Sequence, residues 1–379
     1  MLATGTPVVN GVAHAYNLSA QNARGDAGEG VRHAFYGIHA HFNPPDWVVA
    51  QESFCVDQSA ELLARTHFEE SDVDFIVYHV LRLDSLFEDG LCGLSKAVDL
   101  QARWPERTFV YCGLDPTLGL ERCLDDLDAQ LEVLPRAVGV KLYPDQVEPY
   151  RTFRMDDPAL MFPLYERVLE RGLKVVAVHK ALPNGPVPLA PYRIDDVEGA
   201  AMHFPGLNFE IVHAGMAFVP ETAYALGRFP NVYANLEITT MLMRKAPRLF
   251  AESLAELLFW GGPDKLIYSD GALFAHPRIG LDDTVAFQLP EDLQDKWGLP
   301  PLDDAFRAKF LGGNWARMAG VDLAERAAAI ADDEVARRRS GGLRPPFEVW
   351  QELIGGEVPT PALQPSRSTV GSGMPALGW

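Results

Sequence analysis

Eight short runs dominated by Val, Ile, Leu, Phe and Tyr recur along this chain, and stretches of helical periodicity lie between them. That alternation limits the folds open to it. The runs cover residues 7–14, 73–81, 108–114, 137–142, 173–179, 207–213, 231–236 and 265–269. Most are nearly continuous in apolar residues, as strands buried on both faces of a parallel sheet are. Amphipathic segments at 60–71, 118–134, 158–171 and 220–228 separate several of them. Eight strand–helix units predict an α/β fold, a (β/α)8 TIM barrel, an architecture that spans about 200 to over 400 residues as one unit. The 379 residues fit that range. An open, doubly wound sheet is the alternative, but it would need a Gly-rich phosphate turn after an early strand, and residues 8–16 contain no GxGxxG.

Two regions depart from the repeat. Residues 17–54 read as a long loop insertion after strand 1, punctuated by Gly25, Gly28, Gly30 and Pro44-Pro45. Residues 323–339 predict one Ala- and Arg-rich helix, and 340–379 an extended C-terminal arm. The stretch is rich in Pro, Gly and Ser, as a floppy tail would be, while the scattered Phe347, Trp350, Leu353, Ile354 and Trp379 suggest instead an arm packed across a neighbouring subunit. The expected division is a barrel over 1–325 and a C-terminal helix and arm over 326–379.

Lys and Arg number 33 against 52 Asp and Glu, a formal net charge of -19. That balance argues against a nucleic acid or a membrane as partner, since both demand positive charge. No apolar run approaches the 18 or so residues of a membrane span. The N-terminus shows no signal sequence, and Cys55, Cys92, Cys112 and Cys123 lack CxxC spacing, so free thiols in a cytoplasmic protein are expected. The acidic surface and the tail favour a homo-oligomer, a dimer or a higher even assembly.

The ends of the runs carry the chemistry. His14 closes the first, His79 lies in the second, Asp115 follows the third, and Lys141 and Tyr143 stand at the fourth. His179, His213, Glu237 and Asp270 end or follow the remaining four. A parallel barrel gathers all these ends on the face where barrel active sites are built. Imidazoles and carboxylates on rigid strand ends suit a catalytic zinc-like ion, which takes three protein ligands and activates a water.

The segments VVNGVAH, GVKLYP, VVAVHK, FEIVHAG, NVYANLE, LIYSDG and FLGGNWARMAGV, in this order and spacing, resemble the amidohydrolase superfamily. The likeness spans roughly residues 7–325 and is to its amidohydrolase-related branch, which includes aminocarboxymuconate-semialdehyde decarboxylase, γ-resorcylate decarboxylase and several hydrolases. The resemblance implies a barrel holding one divalent metal ion, zinc first, with manganese, iron or cobalt as alternatives. It implies His179 and Asp270 as metal ligands, and His213 as a ligand or a proton-transfer group. Strand 1 departs from the common Asp-x-His-x-His, because Asn10 and Val12 replace an aspartate and a ligand. His14, His179 and Asp270 could still hold the ion, with His213, or His39 and His41 of the insertion, completing the shell. In an extended segment those two histidines would share a face.

Lys141 and Tyr143 are expected to orient a substrate carboxylate or oxyanion, and Glu237 to contact substrate or anchor a ligand histidine. His276, with Arg278, is expected to reach the pocket. Three functions follow for a small-molecule substrate. The first is a metal-dependent hydrolase of an amide, lactone or related bond, with Asp270 taking the water proton and His213 assisting. The second is a non-oxidative decarboxylase of an aromatic or dienoic acid. The third is a barrel that has lost catalysis and serves as a binding or assembly partner, a reading motivated by Val12 and the tail.

Overall fold

Each of the eight apolar runs contains a strand in the computed structural model, which describes residues 5–361 apart from 148, 184 and 185. They are β1 (Val9–Ala13), β2 (Phe75–His79), β3 (Thr108–Leu114), β4 (Gly139–Leu142), β5 (Val175–His179), β6 (Asn208–Val212), β7 (Val232–Asn235) and β8 (Leu266–Ile267). All neighbours pair in parallel in the order of the chain, giving a (β/α)8 TIM barrel. The outer ring includes α2 (Ala60–Glu70), α3 (Leu94–Arg103), α4 (Leu120–Val133), α5 (Met161–Glu170), α6 (Asp195–His203), α7 (Val219–Arg228), α8 (Pro247–Gly261) and α9 (Pro277–Ala286). Alternation along the strands divides the buried residues in two. Val9, Val12, Phe75, Val77, Tyr111, Ala177, Val212 and Ile267 fill the barrel, with Trp315 of α10 (Asn314–Ala319) packed against the same cluster. The larger cluster packs strands against helices.

The seam between β8 and β1 is closed largely by side chains. The Gly11 N–H donates to the Tyr268 carbonyl at 3.0 Å. Beside it the Asn10 amide donates to Asp270 Oδ1 at 2.9 Å, and the Asp270 N–H donates back to Asn10 Oδ1 at 3.3 Å. The amide of Asn10 also meets His67 Nε2 of α2 at 2.9 Å. His67 Nδ1 lies 2.7 Å from the Leu63 carbonyl, which only accepts, so Nε2 is the acceptor and takes the second Asn10 N–H. Gly11 is required here, because a Cβ would meet Ile267 Cγ2 at 2.8 Å across the seam.

The insertion is not a loop. Residues Gly25–Phe42 form α1, an 18-residue helix. Its glycines read as turns, but Val31, Ala34, Phe35 and Phe42 repeat at helical spacing and are buried. The expected single helix at 323–339 is two, α11 (Leu323–Ala329) and α12 (Glu334–Arg339). Asp322 and Asp333 each accept backbone N–H bonds from the turn that follows, so each starts its own helix.

The arm, as far as it is described, folds onto its own barrel rather than across a neighbour. Phe347 and Trp350 are buried, and α13 (Glu348–Leu353) lies on α2. Glu70 of α2 accepts the backbone N–H groups of Phe347 and Val349, and Arg65 donates to both Glu352 oxygens. The buried Glu70 carboxylate needs donors, and the C-terminal backbone supplies them. Trp379 lies outside the described residues. No described helix is long and apolar enough to cross a membrane.

Replacing Asn10 with Ala is expected to leave Asp270 Oδ1 and His67 Nε2 short of donors inside the seam. Urea unfolding should then show a loss of about 1–3 kcal/mol. A loss within about 0.5 kcal/mol, the range of ordinary surface substitutions, would remove the seam from this account.

Candidate active site

Period-two alternation aims Lys141 and Tyr143 inward from β4, His179 from β5, Glu210 from β6, and Asn235 and Glu237 from β7 and its end. His79 does the same from β2, and His14 stands just past β1. All are buried. Deep in the barrel the Trp315 indole N–H donates to the Tyr111 oxygen at 2.9 Å, and the Tyr111 hydroxyl donates to Glu210 Oε2 at 3.0 Å. Asn235 donates to the other Glu210 oxygen at 2.5 Å. Burial pushes the Glu210 carboxyl up to about 7, against the pull of those bonds and of Lys141. Burial also brings Lys141 down to about 8, opposed by the charges of Glu210 and Glu237.

Above this layer runs a line of hydrogen-bonded imidazoles. His179 Nε2 lies 2.6 Å from the Leu182 carbonyl, so that nitrogen carries a proton. Burial first, then the charges of His213 and Lys141, hold His179 well below the ordinary imidazole range, so it is neutral. Its Nδ1 is therefore an acceptor and receives the His213 Nε2–H at 2.9 Å. His213 Nδ1 in turn stands 2.5 Å from Glu237 Oε2, where two bare lone pairs would repel. That ion-pair contact joins Glu237 to the line Glu237–His213–His179–Leu182. The Tyr143 ring stacks on His179 at 4.3 Å, and Lys141 Nζ stands 5.3 Å from the same ring.

The backbone around this line is strained. Ala181, His213 and Ile238 stand just past β5, β6 and β7 with φ of 61°, 68° and 59°. Such left-handed non-glycine residues cost of order 1 kcal/mol or more each and cluster at functional sites.

His14 and His79 complete the ring. His79 Nε2 lies 3.0 Å from the Gly11 carbonyl, while Nδ1 of both histidines is buried without a hydrogen-bond partner. Burial, then the charge of Lys141, keep both well below the ordinary imidazole range. Tyr16 packs on His14 at 5.1 Å, and Phe35 of α1 and Phe274 of the loop after β8 pack on Tyr16. The insertion is thus a cover for this end of the barrel, pinned by His39 and Asn43, each 2.7 Å from the Phe274 carbonyl.

Several expected site residues lie elsewhere. Asp270 turns into the seam, where Asn10 and the Ala272 N–H occupy its Oδ1. Its Oδ2 is buried without a hydrogen-bond partner, 3.6 Å from His67 Nε2. His39 and His41 sit on a helix, where two residues apart means opposite faces rather than one. His39 is buried, accepts the Val49 N–H and stacks on Phe54, while His41 is partly exposed. His276 is taken up by the Arg278 N–H and by Glu70, 2.7 Å away, so it braces α2 and the C-terminal segment instead of reaching the pocket. Glu237 serves His213 rather than a substrate. Conversely, Glu210, Tyr111, Asn235, Tyr16 and His67 were not singled out by the sequence, and Asn10 stood out only as a departure from the strand-1 pattern. Among the former, only Glu210, a charge inside the apolar run FEIV, left a visible sign.

A divalent ion does not fit this donor set. Both nitrogens of His179 are engaged, Val12 packs inside the barrel, and Asp270 is bonded through Oδ1 at the seam with Oδ2 3.6 Å from His67 Nε2. Among the described residues no three His, Cys, Asp or Glu side chains are grouped as a metal site.

The Amidohydrolase family model matches residues 98–320, more than half of the chain. The chain belongs to the amidohydrolase family. An uncharacterised TIM-barrel protein from Bordetella bronchiseptica shares the fold, at 15% identity and a TM-score of 0.59, over 83% of this chain and 99% of that one. A dihydroxybenzoic acid decarboxylase from Polaromonas, with bound manganese, aligns at 13% identity and a TM-score of 0.49 over 85% and 99% of the two chains. A probable 2-pyrone-4,6-dicarboxylic acid hydrolase from Acinetobacter baumannii aligns at 11% and 0.48 over 83% and 99%. No curated protein matches the chain. The strand-end histidines at 14, 179 and 213 are arranged through hydrogen bonds to one another and to the backbone.

The buried neutral imidazoles set an acid limit on stability. Burial lowers His39 to about 4, and His14, His79 and His179 are also lowered. Unfolded imidazoles take up protons below about pH 6.5, so the stability these groups contribute is present above that pH and is lost as pH falls toward their folded values. Urea unfolding between pH 6.5 and 4 should show stability falling by up to about 1.4 kcal/mol per pH unit for each such histidine. A flat profile over that window would contradict neutral burial.

Proposed function

We propose that this amidohydrolase-family barrel is a non-oxidative decarboxylase of a small aromatic or dienoic acid, working by proton transfer from buried groups. The observation that carries the reading is the line Glu237–His213–His179, with contacts of 2.5 and 2.9 Å, and the Lys141 ammonium 5.3 Å from the Tyr143 ring that stacks on His179. Such a reaction needs a proton for the carbon and a positive charge near the substrate oxygen. A proton from the His213–Glu237 pair adds to the ring or diene carbon that bears the carboxylate, while Lys141 holds the oxygen conjugated with that carbon. The C–CO2 bond then breaks, its electron pair returns to the conjugated system, CO2 leaves, and the pair is reprotonated from water. Preorganised charge of this kind is worth most where water is excluded. Tyr143, stacked on His179, offers a ring face to a planar substrate.

Hydrolysis is the second reading, and His14 favours it. Its Nδ1 is unpartnered inside the barrel, and burial together with Lys141 keeps the ring neutral, which suits a base for an attacking water.

A panel of hydroxybenzoates, dienoic acids, lactones and amides separates the two. Decarboxylation predicts CO2 release with solvent hydrogen on the product carbon and no ¹⁸O from labelled water, whereas ¹⁸O in the product would overturn it. Glu237→Gln is expected to lower kcat by about 10²–10⁴-fold, and Lys141→Met to lower kcat/KM by about 10²-fold or more. Activity unaltered in both variants would remove the relay from the chemistry.

A further inference from the structure

We propose that the Lys141 ammonium is the resident cation of this site, standing where the family resemblance implies a divalent ion, and that its ligand is the oxygen of a small organic anion. The inference concerns the cation and holds whichever reaction the site carries.

Two of the groups a metal would need are turned to other partners. His179 gives Nε2 to the Leu182 carbonyl and Nδ1 to His213, and Asp270 gives Oδ1 to Asn10 and the Ala272 backbone, with Oδ2 3.6 Å from His67 Nε2. Val12, at a position where the family commonly carries a ligand, packs among Val9, Phe75 and Trp315 in the barrel interior. A positive charge stands among the same strand ends. Lys141 is 2% exposed, and its Nζ lies 5.3 Å from the Tyr143 ring that stacks on His179. It is close enough to act electrostatically on His14, His79 and His179 together. A divalent ion brought among those imidazoles would meet like charge at short range in a poorly screened interior.

The ammonium is balanced but not satisfied. Glu210 and Glu237 act on it through space, yet their own oxygens face Asn235 and Tyr111 in one case and His213 in the other. Among the described residues no acceptor is in hydrogen-bond contact with Nζ. A buried ammonium with three unused N–H groups is costly unless an acceptor comes to it. A carboxylate, phenolate or enolate oxygen supplies that acceptor and the missing negative charge.

The test uses the full chain expressed with zinc, manganese and iron present. Element analysis should find no stoichiometric metal in the purified protein. Calorimetric titration with zinc chloride compares Val12→His, Val12→His/Lys141→Met and Val12→His/Lys141→Arg. Restoring the ligand while removing the charge should tighten zinc binding by about tenfold or more over Val12→His alone, and the arginine should keep it weak. Benzoate serves as the anion probe in buffer containing EDTA. It should bind the wild-type chain, bind Lys141→Met about tenfold or more weaker, and bind Lys141→Arg with affinity largely kept. One equivalent of metal in the wild-type chain that His179→Ala removes would overturn the proposal. So would equal zinc affinity with and without the charge, or benzoate binding indifferent to Lys141→Met. Thermal melting by circular dichroism identifies folded variants, and the metal and anion readouts are independent of any product assay.

Discussion

An ammonium enclosed in a closed barrel imposes its terms on everything around it. Lys141 is almost fully buried, and it remains tolerable there because Glu210 and Glu237 place negative charge within the same low-dielectric space. In return its field helps keep three neighbouring imidazoles neutral. Neutral imidazoles can then accept as well as donate, and His179 does both. The ordered line from the Leu182 carbonyl to Glu237 follows from that neutrality.

The seam of the barrel makes the same point in structural rather than chemical terms. A strand-end aspartate is a natural metal ligand, yet Asp270 here forms reciprocal bonds with Asn10 and closes β8 against β1. An amide at position 10 suits that task where a second carboxylate would not, because it donates to Asp270 and to His67 while accepting the Asp270 N–H. With Val12 inside the barrel, these positions look like a coherent set: the residues that depart from the family's strand-1 pattern either join strands or fill the interior.

The cover over the mouth and the C-terminal segment are also linked by buried polar groups. α1 is tied by His39 and Asn43 to the Phe274 carbonyl in the loop after β8. His276 of the same loop meets Glu70, which holds the backbone at Phe347 and Val349. The insertion, the loop after β8 and the tail therefore form one continuous brace on one side of the barrel, with Trp47 and Phe347 packed against His276.

The sequence by itself determined the architecture. Eight apolar runs with intervening amphipathic stretches left little besides a parallel barrel, and the strand-end positions of His14, Lys141, His179, His213 and Glu237 followed from where those runs stop. It could not show which way the strand-end side chains turn once the barrel closes. Asp270 and His179 read alike as ligands, yet Asp270 meets the Asn10 amide across the seam while His179 meets His213 at the mouth. Helical alternation in α1 was masked by its glycines, so His39 and His41 read as a pair. His67 and Glu70 gave no local signal, since their partners lie over 200 residues away for Asp270, His276 and Phe347. Pattern along a chain fixes which face a residue occupies, but only tertiary packing fixes which distant group satisfies it, because a buried polar atom takes whatever partner the closed fold brings within reach.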